Sequence, residues 1–73
     1  MNQYKRDTEL LQIVADRLKK WRIEHGKTQN DVYIDININP SRVESGKSST
    51  TLTILSTLCQ YYGKSLEELF KDP

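Results

Sequence analysis

Hydrophobic residues in the first third of the chain recur at spacings of three and four positions. Leu11, Val14, Leu18 and Trp21 fall on one side of a helix, and most positions between them are charged or polar. This spacing is typical of an amphipathic helix with one face in a core. We predict a first helix from about Thr8 to His25, preceded by an N-terminal arm of residues 1–7 that is disordered by default.

A second helix is predicted from Thr28 to about Asn37. Thr28 can cap the backbone N–H of Asp31 while the Asp31 carboxylate reaches back, which is an Asp variant of the capping box. Val32 and Ile36 give this helix its inner face. Residues 33–38 also alternate weakly between apolar and polar, as a strand would, but the flanking helix signals favour a helix followed by a turn.

Three more helices follow from similar local signals. Asn39 and Pro40 suit the N-cap and first turn of a short third helix, to about residue 45. A fourth helix follows a hydroxyl-rich segment, and Ser65 with Glu68 forms a capping box for a fifth. We expect the inner faces of the last two helices to carry these residues: Leu52, Leu55, Leu58, Cys59, Tyr62, Leu66, Leu69 and Phe70.

The composition fits one all-α domain of 73 residues, with its core at about residues 8–70. Eleven basic and ten acidic residues leave a formal charge of +1, which excludes neither nucleic acid nor protein as a partner. One Cys and one His cannot form an internal disulfide or a zinc site with three or four protein ligands. Without an apolar run long enough for a membrane span, we expect a cytoplasmic protein with no cofactor or metal.

The tripeptide Gly-Lys-Ser at 46–48 resembles the end of a phosphate-binding loop. That loop needs another glycine five residues before the first residue of the tripeptide, and Ser41 stands there. Gly-Lys-Ser/Thr also occurs at 26–28 and 63–65, in each case at a predicted helix end. A left-handed glycine, a basic residue near the helix C-terminus and a hydroxyl cap for the next helix explain the repetition. We therefore do not expect nucleotide hydrolysis.

The second and third helices form a candidate helix-turn-helix, since two short helices are joined by a tight turn. The stretches "VADRLKKWRIEHGKTQNDV" and "SRVESGKSSTTLTILSTLCQYYGKSLEELF" resemble the lambda-repressor/Cro-like, or XRE-type, helix-turn-helix family. The resemblance covers about residues 13–70. It implies a five-helix lambda-repressor-like domain that binds operator DNA. The sequence departs from the family in a third helix about three residues shorter, and Tyr33 stands where the family prefers Ala.

The resemblance places a set of polar residues of helices 2 and 3 and the following turn at the DNA: Gln29, Asn30, Asn39, Ser41, Arg42, Ser45, Lys47, Ser48 and Ser49. Gln29 is expected at a phosphate near the N-terminus of helix 2. Arg42 is expected to read a guanine edge or to hold a phosphate, and its alternative is an ion pair with Glu44 or another local acid. Lys47 is expected at the DNA backbone, with a solvated loop as the alternative.

The implied function is sequence-specific transcriptional regulation by a homodimer that binds double-stranded DNA, without enzymatic activity. A repressor or autoregulator, an antitoxin with a toxin partner and a restriction-modification controller all fit this expectation. The alternative from another class is a non-catalytic protein-interaction module that keeps the fold with weakened DNA reading. The dimer interface is expected at helix 5 and the chain ends.

Overall fold

The computed structural model describes residues 3–46 and 50–71, and for residues 3–8 it gives only the course of the main chain. The described residues form five helices and no strand. Their bounds are α1 Gln3–Glu24, α2 Gln29–Ile36, α3 Pro40–Glu44, α4 Leu52–Tyr61 and α5 Leu66–Phe70. None of the described helices is long and apolar enough to cross a membrane. The all-helical prediction is confirmed, and residues 33–36, which alternate weakly, belong to α2.

The first helix is longer than predicted. It begins at Gln3 instead of Thr8, so most of the expected N-terminal arm continues the helix. No glycine or proline stands between residues 3 and 24 to interrupt it. The arm was predicted from its position at the chain end, which carries no information about helical propensity.

The predicted capping motifs and left-handed glycines are confirmed. Thr28 and Ser65 each form a capping box, with Asp31 and Glu68 respectively. The three glycines after helices all have left-handed backbone, with φ of 67° at Gly26, 71° at Gly46 and 70° at Gly63. These features were predictable because each depends on two to four neighbouring residues.

The core lies between α1 and the other helices. α1 packs against α3 and α5, α2 packs against α3, and α4 packs against α5. The buried hydrophobic residues are Val14, Ala15, Leu18, Trp21, Val32, Val43, Leu55, Leu58, Cys59, Tyr62 and Leu69. The predicted inner faces are therefore largely correct, including Tyr62 directly after α4.

The predicted burial of two residues is wrong. Leu52 is 64% exposed, and Phe70 is 41% exposed. Leu52 is the first residue of α4 and Phe70 is the last of α5. A side chain at the end of a helix can follow the helical spacing and still lie beyond the neighbouring element that would cover it.

Candidate functional site

The N-terminus of α2 presents the first two predicted site residues. The Thr28 hydroxyl accepts a hydrogen bond from the Asp31 N–H at 3.0 Å, and the Asp31 carboxylate accepts from the Thr28 N–H at 2.8 Å. This reciprocal pair fixes the first turn, so that Gln29 and Asn30 follow directly after a rigid cap. The hydrogen bond from the Thr28 backbone N–H is the main cause that lowers the pKa of the Asp31 carboxyl below its usual range. Asp31 therefore stays negatively charged beside this helix end.

A three-residue turn at 37–39 joins α2 to α3. Asn37 has left-handed backbone with φ 59°, and its N–H donates to the Tyr33 carbonyl at 2.8 Å. Asn39 caps α3, since its Oδ1 accepts from the Ser41 N–H at 3.0 Å. Pro40 is buried at the first helical position. The side-chain oxygen of Asn39 is thus engaged in the cap, and its side-chain amide N–H groups donate to no other described residue.

α3 has five residues, Pro40–Glu44, which agrees with the short third helix predicted from Pro40 to about residue 45. Ser41 and Arg42 are exposed in its first turn, whereas Val43 is buried. No described residue forms an ion pair with Arg42, so the alternative pairing of Arg42 with Glu44 is wrong. Ser45 follows the helix, and its hydroxyl donates to the Arg42 carbonyl at 2.8 Å.

Glu44 is instead the centre of a network that joins three helix ends. Arg22, near the end of α1, donates to both Glu44 carboxylate oxygens, at 2.9 Å from Nε and 3.1 Å from Nη2. Gln29 donates from Nε2 to Glu44 Oε1 at 3.2 Å. The Glu44 side chain is only 3% exposed and that of Arg22 is 12% exposed. The hydrogen bond to Glu44 raises the pKa of the Arg22 guanidinium.

Arg22 also reaches the segment between α1 and α2. Its Nη1 donates to the Lys27 carbonyl at 2.8 Å. The guanidinium therefore links the end of α1, the start of α2 and the end of α3. Sequence reasoning missed this role, because Arg22 and Glu44 are 22 positions apart and no local pattern connects them.

Four of the predicted site residues lie around one shallow depression between the N-termini of α2 and α3. Its volume is about 390 Å³, and it is lined by Gln29, Asn30, Tyr33, Asn39 and Ser41. Tyr33 is the one lining residue that was not predicted as a site residue. The depression thus brings short polar side chains of both helices together with an aromatic ring.

A second, more apolar groove lies next to this polar depression. Its volume is about 680 Å³. Its lining includes Ile38, Val43 and Ile54, with Arg42 beside them. Tyr33 and Asn39 line both concavities and so stand between them. Arg42 therefore lines the apolar groove and does not line the polar depression.

The remaining predicted residues are Lys47, Ser48 and Ser49, which lie outside the described residues.

From residue 28 to residue 46 the sequence has one basic residue, Arg42, and three acidic residues, Asp31, Asp35 and Glu44. Asp35 is partly neutralised by Lys27 at 3.5 Å, and it accepts a hydrogen bond from the Tyr61 hydroxyl. That hydrogen bond raises the pKa of Tyr61 to about 12. The α2–α3 surface is therefore polar without being strongly basic.

The single thiol does not contribute to this surface. Cys59 is buried in α4, and burial raises the pKa of its thiol. The described side chains include no group of three or more His, Cys, Asp or Glu residues that could hold a metal ion. The groups gathered at the α2–α3 surface are hydrogen-bond donors and acceptors, one guanidinium and one aromatic ring, which suit binding.

Comparisons with protein-family models, curated proteins and solved structures find no match to this chain.

Proposed function

We propose that this protein is a sequence-specific DNA-binding regulator of transcription, with α2 and α3 as a lambda-repressor-like helix-turn-helix. One observation carries the proposal. Gln29, Asn30, Asn39 and Ser41, chosen from the sequence as DNA-contacting residues, line a single depression at the N-termini of the two helices. In helix-turn-helix proteins the N-terminal residues of the second helix contact base edges.

Phosphate binding is assigned to the start of α2. The N–H groups of Gln29 and Asn30 belong to the first turn, where helical N–H groups have no partner within the helix. A helix N-terminus with free N–H groups favours an anion such as a DNA phosphate. Glu44 accepts one of the two Gln29 amide hydrogens, and the other is left for the same phosphate.

Base reading is assigned to the first turn of α3. Ser41 offers a hydroxyl, Asn39 offers amide N–H groups, and Arg42 offers a guanidinium that can bind guanine O6 and N7 in the major groove. With only five residues, α3 presents fewer side chains to the groove than a longer recognition helix. We therefore expect a short recognised sequence per subunit, and a homodimer that doubles it across half-sites about 34 Å apart.

The dependence of affinity on salt tests the proposal. Arg42 and Lys47 are the basic residues assigned to DNA, and each neutralised phosphate adds about 0.9 to the slope of log affinity against log salt concentration. We expect a slope of about −0.9 per chain from Lys47 alone, and about −1.8 if Arg42 holds a phosphate instead of a base edge. The measurement is fluorescence anisotropy with a labelled duplex selected from a random pool by the full chain.

Two variants make this test specific. Arg42→Gln should weaken binding to the selected duplex. If Arg42 holds a phosphate, the substitution should also reduce the slope of log affinity against log salt concentration by about 0.9 per chain. Lys20→Gln removes the same charge from an exposed position of α1, outside the α2–α3 depressions, and should leave both quantities nearly unchanged. Equal effects of the two variants, or equal affinity for selected and random duplexes, would refute specific binding through α3.

A protein-interaction module is the second candidate, and the charge of the surface favours it. Residues 28–46 contain one basic residue and three acidic residues, whereas DNA-binding surfaces are usually strongly positive. Tyr33 and Ile34 are 49% and 70% exposed and offer apolar contact to a protein. This function would be established instead by two results together. The chain would select no duplex from the random pool, and a protein partner would stay bound when Arg42 is replaced by Gln.

A further inference from the structure

Tyr33 is the largest side chain at the surface shared by α2 and α3. It is 49% exposed, and its hydroxyl forms no hydrogen bond with another described residue. Its ring lines both the polar depression and the apolar groove. A half-exposed aromatic ring without a partner leaves apolar surface that a ligand can bury.

The surroundings of Tyr33 define what such a ligand must offer. On one side stand the short polar side chains of Asn30 and Ser41, which suit hydrogen-bonding groups. On the other side Ile38 and Val43 line a groove that suits a small apolar group. A suitable ligand therefore presents polar groups and a compact apolar group side by side.

The major-groove edge of an A·T base pair has this combination. Adenine presents a donor and an acceptor there, and thymine presents an acceptor and its 5-methyl group, the apolar feature of the major-groove edges. The five residues of α3 include only Ser41 and Arg42 as exposed polar side chains in the first turn. A base contact from α2 would therefore supplement the few base contacts that a short recognition helix can make.

We propose that Tyr33 is a specificity-determining residue that packs its ring against a thymine 5-methyl group, at the entrance of the groove lined by Ile38 and Val43. This inference rests on the proposed DNA-binding function. The ring selects thymine over cytosine at one position of each half-site. It adds a base contact from α2, the helix whose N-terminus is assigned to phosphate.

The test uses the full chain and a duplex selected from a random pool. Each thymine of the half-site is replaced in turn by uracil, which removes only the methyl group. We expect one position at which this change weakens binding of the wild-type chain about fourfold, the effect of burying one methyl group. This measurement needs no protein variant, so its outcome does not depend on how substitutions at Tyr33 affect folding.

Variants then assign the methyl contact to the ring. Tyr33→Ala should weaken binding about fivefold, the lower end of the effect of one specific base contact, and replacement of thymine by uracil should then have no further effect at that position. Tyr33→Phe keeps the ring and should behave as the wild type. Ile34→Ala is the matched control, because Ile34 is a neighbouring exposed apolar residue of α2 that lines neither concavity. Its affinity should stay unchanged, and circular dichroism should show all three variants folded.

Each contrary outcome has a distinct meaning. If the selected duplex is bound tightly and no uracil position matters, or if Tyr33→Ala stays sensitive to uracil, the ring does not contact the methyl group. If Tyr33→Phe loses affinity equally for selected and random duplexes, the hydroxyl binds a phosphate and the inference is wrong. If the wild-type chain selects no sequence at all, the proposed function fails and this inference fails with it.

Discussion

Replacing Glu44 by Gln tests how strongly the buried network stabilises the fold. The substitution keeps the size of the side chain and removes its charge. Arg22 then remains 12% exposed without the carboxylate that accepts two of its hydrogen bonds, at 2.9 and 3.1 Å. Removing one partner of a buried ion pair typically costs about 3–5 kcal/mol, because the remaining charge is left uncompensated.

The expected loss is smaller for Gln than for Ala. The Gln carbonyl oxygen can still accept one hydrogen bond from the guanidinium, and a hydrogen bond to a charged group contributes about 1.5–3 kcal/mol. We therefore expect Glu44→Gln to lower the free energy of unfolding by about 2–3 kcal/mol. A domain of 73 residues has roughly 4–11 kcal/mol in total. The variant should fold and melt about 8–24 °C below the wild type.

Urea unfolding measures this loss through two independent signals. Circular dichroism follows the helices, and the fluorescence of Trp21, the single and buried tryptophan, follows the core. Lys27→Met is the matched control, since it removes the exposed ion pair with Asp35 at 3.5 Å and should cost no more than about 1 kcal/mol. If Glu44→Gln costs no more than Lys27→Met, the burial argument for this network is refuted.

Substitutions at three further positions test single features of the fold. Tyr62→Phe removes a buried hydroxyl without a hydrogen-bond partner among the described residues, so at pH 7 the urea midpoint should stay equal or rise. Burial raises the pKa of Tyr62 to about 12, so Tyr62 alone should lower wild-type stability by about 2 kcal/mol as the pH rises from 10 to 12, and Tyr62→Phe should lack this part of the loss while keeping any part due to Tyr61. Asn37→Ala places Ala at φ 59° and should cost about 1–2 kcal/mol in urea unfolding, whereas Asn37→Gly should be nearly neutral. Thr28→Ala should cost about 1 kcal/mol, and the pKa of Asp31 should rise only in part in an NMR titration, because the backbone N–H of residue 28 is its main cause and remains.

The helix ends were predictable because their causes are local. Thr28 needs only Asp31 to close its capping box, and Asn39 needs only the following Pro40 and Ser41. Each motif lies within four residues, so the sequence shows both partners at once. This explains why the ends of α2, the start of α3 and the start of α5 match their predictions closely.

The errors share a different cause. Leu52 and Phe70 follow the helical spacing, but the spacing does not show where the neighbouring helices end. Similarly, Glu44 had a nearby candidate partner in Arg42, and the structure pairs it with Arg22 across the domain. Periodicity identifies the inner face of a helix, and only the tertiary arrangement decides which positions along that face are covered.

The candidate site depends on both kinds of information. Local caps determine that Gln29 and Ser41 stand near the starts of their helices, and this is why the sequence could select them. Their common position around one depression depends on the angle between α2 and α3, which no capping motif specifies. Glu44 ends α3 and binds both Gln29 of α2 and Arg22 of α1, so one buried carboxylate connects the three helices. The geometry of the proposed DNA surface is therefore set in part by residues that lie beneath it, and a search limited to exposed polar residues would miss them.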